Sequence, residues 1–305
     1  MRNGFRHGVM ILPEHSWKVA REQWVLAEEF GFDHAWMYDH LVWRWFREKA
    51  WYATVPTLAA VAASTTRLRF GTLVASPSIR HPVALVKDMM TLDDISGGRV
   101  VCGVGAGAAG GQDDAVVGQP ELSRRESSAR FTEFVELTDL LLRQPVTSYT
   151  GKYFSTTEVH LHPGSVQQPR IPLAVAATGP KGIHTAAKHG DVWVTTGWPG
   201  HGELARFDAA IPALREQAAQ LDRACHEAGR APKDVRRMLV TGAKVGGELE
   251  SLGSYRDACG MLDEIGFTDL VSHWPRPDFP YEGSMSVLEN IAGELLTPSE
   301  STQDS

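Results

Sequence analysis

Cysteine is scarce in this chain. Only Cys102, Cys225 and Cys259 occur in 305 residues. So odd and widely spaced a set gives no disulfide framework and points to a reducing, cytoplasmic compartment. Basic charge is also in deficit, with 30 lysines and arginines against 37 carboxylates and a formal net charge of −7. No basic excess is available to neutralise phosphates, so neither nucleic acid nor an anionic membrane is expected as a partner. The pairs Arg124-Arg125 and Arg236-Arg237 read as solvated helix and strand ends. Long apolar runs are missing too. The opening MRNGFRHGVMILPEH holds only the run 9–12, too short for a signal h-region or a membrane span, and reads as a first strand. No G-x-S-x-G occurs, which removes a serine nucleophile elbow. His160 and His162 alternate without a third ligand at zinc spacing, so no metal is expected. Cys102 lies inside an apolar strand, where packing is its expected role.

What is present is an ordinary globular composition, 43% hydrophobic and 22% charged, on a chain long enough to bury a large core. Eight strand-then-helix units can be read along it. Strands are expected at 8–12, 35–38, 68–75, 99–104, 172–177, 191–195, 235–241 and 269–273. Helices follow at 16–30, from Pro56, from Pro82 to before Gly97, around 131–142, and at 181–189, 205–228, 255–265 and 286–296. The fold class is therefore α/β, a single (β/α)₈ barrel over 1–296, with a polar, disordered tail at 297–305. A doubly wound sheet is the alternative, because strand order is invisible in sequence. Four connections, 41–55, 108–125, 146–170 and 244–254, are longer than a barrel needs. The third contains YTGKY (149–153), a hairpin turn; long insertions on the catalytic face usually shape a substrate pocket.

Several residues in this frame can carry chemistry. Asp39 and His40 end the second strand at the catalytic rim, where a carboxylate and an imidazole can bind a ligand and shuttle a proton; a capping Asp and a solvated His are the plainer alternative. The run GVGAG (103–107) lacks dinucleotide spacing and leads into AAGG rather than a helix start, so its glycines suit a flat ring lying against backbone. Thr178-Gly179-Pro180-Lys181-Gly182 opens a helix whose first amides, with Lys181, can hold a phosphate or can form an ordinary turn. Trp43, Trp45 and Trp51 crowd a polar insertion, as core or as the wall of a planar-ligand pocket.

Taken together, FDHAWMYDH (32–40), RLRFGTLVASP (67–77), RHPVALVKDMMTLDDISGGRVVCGVGAG (80–107), the FSTTEV insertion, IPLAVAATGPKG (171–182) and DVWVTTG (191–197) resemble the luciferase-like monooxygenase superfamily. The likeness is to its deazaflavin (coenzyme F420)-dependent oxidoreductases in particular. That resemblance implies a barrel binding F420, or alternatively FMN, at its strand C-termini. Asp39 would contact the cofactor and His40 would face its reactive carbon. A bulge with a non-prolyl cis peptide at Leu73-Val74 would support the ring. Ser76, Gly105, Ala106 and Gly107 would line the ring and ribityl chain; Thr178, Gly179, Pro180, Lys181 and Gly182 would hold the phosphate end. Trp43, Trp45 and Trp198 would wall the substrate pocket. The sequence departs from the sugar-phosphate and alcohol dehydrogenases of this group at two places. Ala108 stands where they carry a glutamate acid/base, and Trp198-Pro199 where they carry a phosphate-binding lysine. Glucose-6-phosphate dehydrogenase activity is therefore not expected. The expected activity is F420-dependent reduction of an activated double bond in a small-molecule or peptide substrate. An FMN-dependent monooxygenase, or a non-catalytic flavin-binding protein, is the alternative. A homodimer is the expected assembly.

Overall fold

Short apolar strands alternating with amphipathic helices can close on themselves only if every strand runs parallel to its neighbours. The computed structural model, which describes residues 4–107, 112–197, 205–242 and 244–296, shows this closure. In chain order the first half is β1 (Arg6–Met10), α1 (Trp17–Glu29), β2 (His34–Met37), α2 (Thr54–Ser64), β3 (Arg69–Thr72), α3 (Pro82–Ser96), β4 (Val100–Gly105), α4 (Gln112–Val116) and α5 (Arg124–Arg143). A hairpin of β5 (Val146–Thr150) and β6 (Ser155–His160) follows. Then come β7 (Leu173–Ala176), α6 (Pro180–His189), β8 (Val192–Thr195), β9 (Ala205–Arg206), α7 (Phe207–Glu227), β10 (Arg236–Val240), β11 (Val245–Gly246), α8 (Leu252–Glu264), β12 (Asp269–His273) and α9 (Met285–Ile291). The strands β1, β2, β3, β4, β7, β8, β10 and β12 form a closed barrel. Registers such as Met10↔Trp36 and Met10↔His273 seat β1 between β2 and β12, which settles the choice against a doubly wound sheet.

Period-two alternation sorts the side chains into two cores. Val9, Ala35, Phe70, Cys102, Val175 and Leu270 face outward and pack with the helices, whereas Met10, Trp36, Val101, Ala174, Met238 and Val271 fill the barrel. Trp24, Trp193 and Phe134 are fully buried, each contributing about 1.5–3 kcal/mol or somewhat more. Burial also pushes the Cys102 thiol up to about 12, as suits a packed cysteine. The floor of the barrel is polar but satisfied. Trp36 Nε1 donates to His34 Nδ1 at 2.7 Å, and His34 Nε2 meets Asp269 Oδ1 at 3.2 Å. Arg236 Nε donates to the other Asp269 oxygen at 3.0 Å. Burial opposes ionisation of Asp269, yet His34, Arg236 and Thr268 hold its carboxyl below the ordinary range. Arg236-Arg237 is thus no solvated strand end: Arg236 anchors the barrel floor and Arg237 pairs with Asp222.

Local differences from the sequence reading have visible causes. The third strand stops at Thr72; the Leu73-Val74 peptide is cis, and Ala75 rejoins the ladder through Ala75 N→Gly103 O at 2.8 Å and a bridge to Val104. The expected bulge is therefore present. Helix α5 begins well before residue 131 because Ser123 and Glu126 form a reciprocal capping box, a Ser-x-x-Glu signal that the sequence does display. The helix expected from residue 205 begins at Phe207, since residues 205–206 pair with β11. The YTGKY hairpin is observed, its turn closed by Gly151 N→Phe154 O at 2.9 Å. Glu133 accepts the amides of Lys152, Tyr153 and Phe154 beneath it. Among the described residues no helix is long and apolar enough to cross a membrane. The tail at 297–305, Ala108 and Trp198 lie outside the described residues.

Candidate active site

All the barrel strands end on one side, so the residues following β2, β3, β4, β7 and β12 converge there. The buried Asp39 carboxylate is held by a bidentate fork from Arg80, with Nε at 2.9 Å and Nη2 at 2.7 Å. That hydrogen-bonded pairing raises the Arg80 guanidinium pKa despite its partial burial. Asp39, expected to meet a cofactor directly, therefore already has a protein partner on both oxygens. The next residue, His40, places Nδ1 2.6 Å from Asp113 Oδ2, with both side chains largely buried. Its ring stacks on Trp43 at a centroid distance of 4.4 Å, and its carbonyl accepts Trp51 Nε1 at 2.9 Å. The geometry suits donation from Nδ1 to Asp113 Oδ2, which leaves Nε2 as the ring nitrogen open to a ligand. Among the described residues Nε2 has no partner. Asp113 was not foreseen from sequence. It sits on α4, a five-residue helix inside the 108–125 insertion.

The floor on the other side of the mouth is built by Val74 and the glycine loop. A Cβ on Gly105 would collide with Val74 Cγ2, so glycine is what allows β4 to pass the bulge. Gly107 has φ +94°, and a Cβ there would sit 2.9 Å from Ser78 Oγ. Both glycines are thus required by the protein's own packing, whatever else lies against them. Ser76 Oγ and Trp43 Nε1 are buried without hydrogen-bond partners, an arrangement that costs free energy unless a ligand supplies them.

Across the mouth, Tyr38 and His273 meet at 2.8 Å (Oη to Nε2), and Tyr281 stacks on His273 at 3.5 Å with an 8° interplanar angle. Burial pushes the His273 imidazole down to about 3, so it is neutral at ordinary pH; the Thr241 carbonyl opposes this only weakly. Burial likewise pushes the Tyr38 phenol well up. Trp45 and Phe279 stay 48% and 67% exposed and touch edge to face at 5.1 Å, forming an aromatic lip. Arg276 braces this side through a bidentate pair with Glu14. Trp45 thus sits on the lip, while Trp43 and Trp51 pack against the core inside the barrel. His273 could have been found by the same signal that picked out His40, an imidazole at the C-terminal end of a barrel strand.

Gly105 pairs with Ala176, so the loop after β7 leaves beside the glycine loop. There Gln217 Nε2 donates to the Thr178 and Gly197 carbonyls at 3.1 and 2.8 Å, fixing the approach to α6. Gly179 caps α6 with open space at its Cβ position, Pro180 is the first helical residue, and Gly182 packs on Ala177. Lys181 is exposed and, among the described residues, forms no ion pair. The structure therefore gathers Asp39, His40, Leu73, Val74, Ser76, Gly105, Ala106, Gly107 and Trp43 around one mouth, with 178–182 on the adjoining strand end.

Comparison with known proteins agrees with this fold. The luciferase-like monooxygenase family matches residues 4–248. An F420-dependent glucose-6-phosphate dehydrogenase from Beutenbergia cavernae is 36% identical over 315 residues, covering 89% of this chain and 90% of that protein. A 5,10-methylenetetrahydromethanopterin reductase from Methanopyrus kandleri is 29% identical, over 72% of this chain and 62% of that protein. The fold matches that of an F420-dependent secondary alcohol dehydrogenase with TM-score 0.78 at 17% identity, over 97% of this chain and 99% of that one. The chain belongs to the luciferase-like monooxygenase family and is an oxidoreductase enzyme of that family.

Proposed function

We propose that this enzyme binds F420 at the barrel mouth and reduces an activated C=C, C=N or C=O bond of a small-molecule substrate. The observation that carries the reading is the His40–Asp113 pair at 2.6 Å, facing a shelf whose Ser76 hydroxyl is buried and unpartnered. F420-dependent relatives that include a 36%-identical dehydrogenase support the choice of cofactor. When bound, the reduced deazaflavin supplies a hydride. The protein's residues do the rest. Val74, Gly105, Ala106 and Gly107 offer a surface for a planar ring, and the start of α6 with Lys181 suits its phosphate. Asp39, neutralised by Arg80, would face the ring's polar edge. Trp43, Tyr281 and the Trp45–Phe279 lip exclude water from the reacting centre. Asp113 accepts from His40 Nδ1 and holds the ring in place, so that Nε2, once it has taken up a proton, can hand it to the substrate atom that gains charge.

The direction, reduction rather than alcohol oxidation, rests on Ala108 standing where dehydrogenases of the group carry a glutamate. A glucose 6-phosphate substrate is disfavoured by that residue and by Trp198-Pro199 in place of a lysine. The test is twofold. Apo-protein is titrated with F420 and with FMN while quenching is followed, and oxidation of reduced F420 is then assayed with activated alkenes, imines and carbonyls. F420 binding with turnover on this panel supports the reading. Preference for FMN together with oxygen-dependent turnover would replace it with a monooxygenase.

A further inference from the structure

A second concavity lies behind the mouth. It is a cavity of about 510 Å³, within the range of small-molecule sites. It is bounded by the β3–α3 loop, the segment after α4, the middle of α5 and the β5–β6 hairpin. The residues that decide its chemistry are Ser78, Arg80, His81, Gln119, Arg130 and Tyr153. Two guanidinium groups and an imidazole line it, and no carboxylate does. In a chain of net charge −7 that is a strong local bias.

The carboxylates are present but sit behind the arginines. Asp39 takes Nε and Nη2 of Arg80, while Asp114 takes Arg130 Nη2 at 2.9 Å and the Ser78 hydroxyl at 2.9 Å. Buttressed this way, each guanidinium is rigid yet keeps donors to spare. Arg80 Nη1 has only Asp88 at 4.0 Å, and among the described residues Arg130 Nη1 has no acceptor. His81 caps α3 by accepting the Val83 amide at 3.3 Å, so the positive end of a fifteen-residue helix adds to the field. Ser78 Oγ also lies 2.9 Å from where a Cβ on Gly107 would stand, so the cavity adjoins the glycine loop at the mouth.

We propose that this cavity is an anion site for a carboxylate- or phosphate-bearing segment of a ligand whose reactive end lies in the mouth. Fixed guanidinium forks recognise such groups in preference to neutral ones. Two sources share this chemistry. One is the glutamate carboxylates of the F420 side chain, beyond the phosphate assigned to the start of α6, and it rests on the cofactor reading above. The other is an anionic arm of the substrate.

The experiment compares F420 with its tail-free deazaflavin alcohol by fluorescence quenching, in wild type, Arg130→Gln and Gln119→Glu. Gln119 is exposed, so the second variant adds a negative charge at the rim without touching an ion pair. F420 is expected to bind wild type at least about tenfold tighter than the tail-free form, the worth of one charge-assisted hydrogen bond. Both variants should cut that ratio severalfold while leaving tail-free binding unchanged. In parallel, inorganic phosphate and glutarate are titrated calorimetrically into the cofactor-free protein. Anion binding that Gln119→Glu abolishes, with a tail ratio that it leaves alone, assigns the site to the substrate. A ratio insensitive to both variants, with no Gln119→Glu-sensitive anion binding, overturns the proposal. Failure of both deazaflavins to bind wild type counts against the cofactor reading alone, and the anion titration then decides the cavity.

Discussion

The Asp113→Asn substitution tests the proposed chemistry at its most specific point. Asparagine keeps the shape of Asp113 and an oxygen for the Leu41 amide, which now donates to Oδ1 at 3.4 Å. What changes is the partner of His40. The 2.6 Å contact between an imidazole and a buried carboxylate is of the charge-assisted kind, worth about 1.5–3 kcal/mol. An amide there can still hydrogen-bond Nδ1 but carries no negative charge to offset the imidazolium that must form before Nε2 can donate a proton. If the pair acts only in the proton-transfer step, kcat should fall by roughly 10- to 150-fold, with KM and F420 affinity little changed. His40→Ala alone should lower kcat by roughly 10²–10⁴. The double variant should be no slower than His40→Ala, because Asp113 has no further role once the imidazole is gone. Steady-state kinetics of the four proteins, with pH profiles, complete the cycle. Multiplicative losses would refute the reasoning, since Asp113 would then be acting through the fold of α4.

Other expectations follow from the same geometry. Gly105→Ala should drive Val74 off its position and weaken F420 binding at least about tenfold, and the Gly105→Ala/Val74→Ala double variant should recover most of it; no recovery would mean the loop acts elsewhere. His273 has its pKa pushed from 6.5 to about 3, so below pH 6.5 the unfolded chain takes up a proton that the folded chain refuses. Its contribution is whole above pH 6.5 and drains as pH falls toward 3, by about 1.4 kcal/mol per pH unit and about 5 kcal/mol in all. Urea unfolding followed by tryptophan fluorescence should therefore show a shallower pH dependence for His273→Gln than for wild type between pH 6 and 4, and parallel curves would sink the assignment. Lys181→Ala should weaken F420 by about 1–3 kcal/mol if Lys181 holds the phosphate, and should weaken a phosphate-free deazaflavin much less; equal losses would place its effect in folding.

Much of the fold was legible because barrel strands advertise themselves. The outward and inward faces of β4 and β7 are both apolar, and proline or glycine marks where many of the strands and helices stop. The rim position of His40 followed from that reading. Its partners did not, for a physical reason: Asp113 lies 73 residues away and Arg80 lies 41 residues from Asp39. Such contacts are made by closure of the barrel, not by any local period. The segment carrying Asp113 opens with four small residues and gave no helical signal. The Ser123–Glu126 capping box was legible and shows that the long helix starts a full turn or more earlier than its apolar face suggests.

The glycine loop carries a subtler lesson. A run of glycines beside a strand end invites the inference that a ligand presses on them, but each of these glycines also has a reason within the protein. Gly105 is needed so that Val74 can sit beneath it, and Gly107 so that Ser78 can. The shelf is therefore shaped by contacts within the protein, so it exists before anything binds. Preorganisation of this kind is what a hydride-transfer site needs, because no free energy of binding is then spent on moving backbone. The neighbouring aspartates divide in the same manner. Asp113 turns to His40 at the mouth, while Asp114 turns to Ser78 and Arg130 at the cavity behind it. One short helix thereby sets the distance between the reacting centre and the arginine-lined cavity. A ligand that spans both must match a spacing fixed by two consecutive residues, Asp113 and Asp114.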